Sequence, residues 1–432
     1  MRVGHLGREE GRVFDGDRAG CATISPGMEG AQTDAPAWRR GGLFILFSLT
    51  LASYLANVSA IAMTPFLLDI ARDLDADLAG MGVLLAIGSI TWGIVSVFAG
   101  VASDRFGRRP VLMAGLAGLA LAPLGLAVAT TYWVGALTRF AGGFGGGSFM
   151  GTAFAAAADA VPSSERGRAL GWLITGQSLA LVIGVPSVTY LGAFIGWRGS
   201  LAIQGILMAV AAILVWLAVP GQPPKQHQDD DEPAVNVWRL LTPRVVALLS
   251  ANALERFCYG GVAVYLATFL ITSYGASLES LALGLGVVAL GNLIGNFAGG
   301  ELSDRLHSRT ALASLSLAAT GVLAVPLLLW QPGLVISIGL GFAYTAVNAI
   351  GRPALLASTS EVSSQARGAL LGVNMTFASM GWLGSQAFGG WLIATMGFGI
   401  FGVLTAVAGL AGAALAVAAG IPGRAAAPDD AR

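Results

Sequence analysis

Runs of 20 or more mostly apolar residues recur twelve times along this 432-residue chain: 43–68, 78–101, 111–130, 133–158, 169–193, 199–219, 245–273, 280–300, 311–330, 334–357, 368–394 and 398–420. A helix needs about 20 such residues to cross a hydrocarbon core of about 30 Å. In that core every backbone N–H and C=O must be satisfied inside its own segment, so the runs are predicted to be helices. As buried helices of a soluble protein they would need a charged exterior to cover them. Only 11% of residues are charged against 55% hydrophobic, and mean hydropathy is +0.73; a soluble chain carries about 25% charge. The expected fold class is an all-α membrane protein of twelve transmembrane helices. With 24 basic and 24 acidic side chains the formal net charge is zero, so no nucleic-acid partner is expected. Cys21 and Cys258 fall in a polar tail and an apolar run, so no disulfide is expected. His5, His227 and His307 lie in tails or loops and form no buried metal cluster. No Walker loop is present to bind ATP, no cofactor is expected, and the chain does not read as an enzyme.

Basic residues orient the bundle. Arg39, Arg40, Arg105, Arg108, Arg109, Arg166, Arg168, Lys225, Arg239, Arg244, Arg305, Arg309, Arg367 and Arg424 collect on one side, and only Arg72 and Arg198 on the other. Basic loops stay cytoplasmic, which places both termini inside a plasma membrane, and the short tails and loops point to a bacterial one. Trp133, Trp197, Trp238 and Trp330, at the ends of runs, suit interfacial anchoring or core packing. Residues 1–38 lack the apolar region of a signal peptide and read as a disordered cytoplasmic tail, with Met28 as an alternative start.

The middle of the chain, 220–243, is rich in proline and carries Asp229, Asp230, Asp231 and Glu232, the pattern of a solvated cytoplasmic linker. On either side of it the sequence repeats. GVASDRFGRR at 100–109 aligns without gaps to GELSDRLHSR at 300–309. Ser163 and Ser164 match Ser363 and Ser364; Arg166, Gly167 and Gly171 match Arg367, Gly368 and Gly372; Gly196 matches Gly397. The offsets are all 200 or 201, so the chain is a duplicated six-helix unit: 39–219 and 244–420, followed by a cytoplasmic tail at 421–432.

The loop Gly100, Asp104, Arg105, Gly107, Arg108, Arg109, its degenerate copy Asp304, Arg305, Arg309, and the Gly196-Trp197-Arg198 entry to the sixth span resemble the signature elements of the major facilitator superfamily. The resemblance covers roughly residues 41–420 and is nearest to the twelve-span drug and sugar efflux branch. It implies two pseudo-symmetric halves around a central cavity that opens alternately to each side. It also implies a monomer that binds a small molecule and protons. Asp104 is expected just past the second span, and Arg108 can reach Asp159 to make an Asp–Arg–Asp network. In the family such a network is understood to latch the cytoplasmic side in the outward-facing state; arginines that merely hold loops inside would look the same. In the second copy His307 and Ser308 replace Gly107 and Arg108, and Glu361 stands where Asp159 stands, so a weaker latch is expected there.

Charge inside a span costs at least about 2.5–3.5 kcal/mol at the bilayer centre, so each such group should face a cavity or a partner. Arg139, Glu255, Arg256 and Arg352 are the four well inside spans. Glu255 and Arg256 lie ~16 Å along their helix and, being consecutive, point about 100° apart, which argues against their pairing. Asn252, Glu255 and Tyr259 share one face. Burial favours the neutral form of a carboxyl, as a proton-coupling site requires; substrate contact, or a structural pair with Arg139 or Arg352, are the other readings of Glu255. Arg139 opens a run with Gly143, Gly145, Gly146 and Gly147 that is similar to the family's fourth-span motif linked to proton coupling, though small residues also let helices pack closely. Gly184-Val185-Pro186 is a partial match to the family's antiporter motif. Tyr54, Asn57, Gln177, Asn292, Asn296, Asn348, Asn374 and Gln386 are candidates to line the cavity or to bond between helices. The function expected is proton-coupled efflux of small amphipathic organic compounds. The alternatives are proton-coupled uptake of an organic anion, drawn by three interior arginines against one glutamate, and a non-transporting membrane sensor or scaffold.

Overall fold

A computed structural model describes residues 38–162, 165–221, 241–306, 308–360 and 367–420. The tail before residue 38, most of the linker, His307, Glu361 and the final tail lie outside the described residues. Helix α1 (Trp38–Ile61) continues through a 3₁₀ turn (Thr64–Phe66) into α2 (Leu67–Asp73). Then come α3 (Leu78–Phe106), α4 (Arg108–Ala127), α5 (Tyr132–Asp159) and α6 (Arg166–Leu179), the last running through a π-turn (Ala180–Gly184) into α7 (Val185–Ala218). The second half holds α8 (Pro243–Tyr274), α9 (Leu278–Arg305), α10 (Arg309–Val325), a π-turn (Pro326–Trp330), α11 (Leu334–Ser360) and α12 (Arg367–Gly420).

Among the described residues nine helical stretches are long and apolar enough to cross a membrane, and two of these, of 53 and 49 residues, make two crossings each. They divide at Gly196 (φ 73°) and Gly397 (φ 83°), in a left-handed conformation that glycine alone adopts cheaply. These are the two glycines that the repeat aligns. Helix α5, less apolar because of Arg139 and its glycines, supplies the twelfth crossing. The fold is the all-α, twelve-helix bundle in two halves that the sequence implied.

Two local expectations change, and the tryptophans divide between the two readings offered for them. Asp104, expected just past its span, sits in the last turn of α3, as Asp304 does in α9, because a helix continues beyond the hydrocarbon that hydropathy detects. Trp133 and Trp330 are 78% and 71% exposed, as interfacial residues would be, but Trp197 is a core residue at 7%. Its indole N–H donates to Asp73 (3.1 Å), and Arg198 stacks on its ring while pairing with Asp73 (3.1 Å) and donating to the carbonyls of Ala127 and Ala129. Glu255 and Arg256 do pair, as described below.

Among the described residues the apolar core is shared between the halves at one end and divided at the other. Toward the end away from the arginine-rich loops, one cluster joins Phe66, Met81 and Leu84 of the first half to Tyr265, Phe269 and Leu392 of the second. Toward the basic end each half has its own: Leu49, Leu116, Phe149 and Met208 in one, and Leu248, Leu317, Leu355 and Ala416 in the other. Polar contact across the seam follows the same division. Ser89 of α3 donates to Gln386 Oε1 of α12 (2.6 Å), and Gly82 and Gly390 bring the same two helices together; within the second half the Tyr265 hydroxyl donates to the Gln386 carbonyl beside this contact. Nearer the basic end the same two helices expose Val97, Val101, Met375 and Met380. The seam is closed at the far end and open at the basic end.

A side chain at Gly82 would meet the Gln386 carbonyl at 2.5 Å and the Tyr265 hydroxyl at 2.9 Å. Gly82→Val should therefore disfavour far-end closure. A cysteine placed at Ser89, in a chain lacking Cys21, is expected to react severalfold faster with a membrane-impermeant maleimide in the Gly82→Val background. An unchanged rate would contradict the placement of the seal.

Candidate functional site

Three of the four intramembrane charges, Glu255, Arg256 and Arg352, gather in the second half, and backbone packing puts them there. Gly291, Gly295 and Gly299 lie one turn apart on α9. A Cβ at any of them would collide with the carbonyl oxygens of Phe342, Ala346 and Ile350 on α11. Such small-residue stripes let helices approach to backbone contact. The approach sets Asn292 and Asn296 of α9 beside Arg352 of α11, and α11 in turn packs on α8 through the Tyr344 hydroxyl, which donates to the Cys258 carbonyl (2.9 Å).

Glu255 of α8 is fully buried at the centre of this arrangement. Arg352 donates to its Oε1 from Nη2 (3.0 Å) and Nε (3.3 Å). Arg256 Nε lies 3.0 Å from Oε2, correcting the expectation that neighbouring residues would diverge: the arginine stem is long enough to fold back alongside the helix. That N–H is not aligned for a hydrogen bond, so Oε2 receives charge without a directed donor. The arginines retain 23% (Arg256) and 19% (Arg352) exposure, so the cluster carries one net positive charge and meets open space on their side. Arg352 also lies over the Tyr259 ring (4.7 Å), which packs on Trp382 (5.8 Å), and its Nη1 donates to Asn296 Oδ1 (3.4 Å). Asn252 bonds Asn374 (3.1 Å). Asn348, one turn before Arg352, has both side-chain polar atoms buried without a hydrogen-bond partner among the described residues. Eight of the candidates are thus brought together: Asn252, Glu255, Arg256, Tyr259, Asn292, Asn296, Arg352 and Asn374.

The first-half candidates do not join them. Asn57 donates to the Ser53 carbonyl of its own helix (3.0 Å) and Gln177 to Met150 Sδ (3.3 Å), while Tyr54 packs against the apolar core. Arg139 sits against α3 at Gly88, its buried Nε without a hydrogen-bond partner. Its glycine run packs α5 backbone to backbone, Gly143 against Gly88 and Gly145 against Gly115 and Leu119. Gln386 seals the seam rather than lining the cluster. Trp382 and Asp73 went unselected in the sequence; the i+4 spacing of glycines on α9 was a readable signal for the helix contact, and nothing flagged Trp382.

At the basic end Arg108 lies 2.6 Å from Asp104 and 3.4 Å from Asp159, spanning α3 and α5. Gly107, at φ 90°, makes the reversal between α3 and α4. Arg109 lies over Trp216 (4.9 Å) and donates to its carbonyl (2.8 Å), tying the loop to α7; Arg105 lies over Phe106 (5.6 Å). In the second copy Arg309 is 3.9 Å from an exposed Asp304, and Arg305 pairs with Glu301. Gly100 faces open space.

A twelve-helix bundle of two like halves, sealed at one end and enclosing buried charge, is the architecture of a membrane transporter. The family model of the Major Facilitator Superfamily matches residues 44–352, and the chain belongs to that family. It is 27% identical to the uncharacterized MFS-type transporter YfhI of Bacillus subtilis over 81% of this chain and 90% of the relative. It is 25% identical to a chloramphenicol resistance protein of Streptomyces lividans, over 66% and 74% of the two chains. Its fold matches a bacterial homolog of the human lysosomal transporter Spinster in an inward-facing, unoccupied conformation, with a TM-score of 0.69, 18% identity and coverage of 89% and 96%.

Removing one partner of a buried ion pair strands the other, a loss of about 3–5 kcal/mol in soluble proteins. Arg352→Met is expected to fall at the lower end of that range, since Arg256 still accompanies Glu255, and to lower the melting temperature of the protein in nanodiscs. The added change Glu255→Gln should recover part of the loss. No destabilisation in the single variant would contradict the pairing.

Proposed function

We propose that this chain is a proton-coupled secondary transporter that exports small amphipathic organic compounds by alternating access, with both termini in the cytoplasm. The observation that carries the reading is a core continuous across the halves at the far end and divided at the basic end, with Glu255 buried in the polar cluster of the second half. Rocking one half on the other would exchange the sealed end for the open one. Glu255 is the proton-coupling candidate: protonation would weaken its hold on Arg352 and Arg256 and free both cations toward the cavity. Asp104, Arg108 and Asp159, already paired within the first half while the basic end is open, would act as the latch by meeting the second half when that end closes, with Asp304, Arg305 and Arg309 a weaker counterpart. The resistance-type relative supports export.

A second reading, uptake of an organic anion, draws on the unpartnered Nε of Arg139 and the two arginines around one carboxylate.

In inverted vesicles with a pH-sensitive dye and chloramphenicol as the first compound, substrate-driven proton movement is expected, and Glu255→Gln should abolish it. Undiminished movement in that variant would remove Glu255 from the coupling. Asp104→Asn should abolish transport while leaving abundance and insertion normal; full transport would show that the loop is not a latch.

A further inference from the structure

A cavity of ≈ 330 Å³ lies where the seam between the halves begins to open, walled by Ile174, Ser178 and Leu181 of the first half and by Asn292, Leu293 and Asn296 of α9. Just beyond it toward the far end the two walls meet, Gly286 facing Pro186 and Val182. The walls are mostly apolar, and Ile174 is 54% exposed, so the cavity opens sideways between the halves. One group in it is out of keeping with that surface. Asn292 is only 5% exposed, and its Nδ2 has no hydrogen-bond partner among the described residues. A buried, unsatisfied amide donor costs free energy that a ligand acceptor can return.

The direction of that donor is fixed by a chain of bonds. An arginine only donates, so Arg352 Nη1 must meet the oxygen of Asn296 (3.4 Å). That turns Asn296 Nδ2 toward Asn292, where it donates to Oδ1 (3.0 Å). Asn292 must then present its Nδ2 away from Asn296. Arg352 is itself held by Glu255, so the buried carboxylate orients a neutral donor two residues removed from it.

We propose that this seam cavity binds the polar end of an amphipathic solute through Asn292 Nδ2. The head is a hydrogen-bond acceptor, such as a carbonyl, and the apolar body lies along Ile174, Leu181 and Leu293. This names the substrate class of the transport reading and rests on it. The net positive cluster behind Asn296 disfavours a cationic head. The volume, at the low end of the about 300–1,000 Å³ of small-molecule pockets, suits a single-chain solute.

The test uses two photolabels on the full chain in nanodiscs: a diazirine-bearing octyl chain with an N,N-dimethylamide head, which only accepts, and the same chain with an ammonium head, which only donates. The amide label is expected on peptides containing 174–181 and 289–297, and the ammonium label roughly three- to tenfold less, the worth of one hydrogen bond. Asn292→Leu should reduce amide labelling by a similar factor. Leu181→Trp, which fills the cavity from the opposite wall without touching the asparagine, should do the same, and it decides the matter if Asn292→Leu does not insert. Labelling spread evenly over outward-facing positions such as Leu315 and Val322, equal labelling by both heads, or labelling unaltered in the variants would overturn the proposal. Substrate-driven proton movement without seam labelling would refute this site and leave the transport reading intact; seam labelling without such movement would do the reverse.

Discussion

Hydrocarbon gives apolar helices no reason of their own to associate, so a bundle of this kind depends on close backbone approach and a few buried polar bonds. In this chain the approach is made by glycine. Gly143 and Gly145 seat α5 on α3 and α4, and Gly291, Gly295 and Gly299 seat α9 on α11. These contacts lie within each half and hold it as one body. Among the described residues, the close approaches and the polar bond between the halves lie toward the far end, at Gly82 and Gly390 and between Ser89 and Gln386. Two stiff bodies joined along part of one seam can rock, and a shared core at one end with separate cores at the other follows from that geometry.

The buried charge is tied to the same framework. Glu255 carries two arginines, and Arg352 reaches it only because the α9–α11 stripe and the Tyr344 bond to α8 bring three helices together. Desolvating three ionised groups is expensive unless geometry repays it, and here Oε2 of Glu255 has a nearby charge but no aligned donor. Polar atoms of Asn348 and Asn292 on the surrounding helices are buried without a hydrogen-bond partner among the described residues.

Much of this was legible in the sequence, because the membrane forces the reading. Hydrophobic runs specify spans, the 200-residue offset specifies two halves, and the spacing of Asp104, Arg108 and Asp159 anticipates their contact. What the sequence hid depended on side-chain reach and on distant neighbours. Periodicity separates Glu255 from Arg256 by about 100°, yet a flexible arginine closes the gap. Hydropathy marks the hydrocarbon boundary rather than the helix end, so Asp104 falls outside the predicted span but inside the helix that carries it. For Trp197 the choice between interface and core stayed open because Asp73, which binds its indole, is 124 positions away. Which polar residues join the cluster and which bond only to their own helix, as Asn57 does, is decided by packing that no single-chain pattern records.

The central claim is that the seam opens at one end only when it closes at the other. Pulsed electron-spin distances in liposomes test it, with one label pair at Val101 and Met375 near the basic end and another at Phe194 and Leu283 near the far end, all exposed positions. Each pair should show two distances, and any condition that lengthens one pair, such as a change of pH or added substrate, should shorten the other. A single unchanging distance at both ends, or the two pairs lengthening together, would contradict the account.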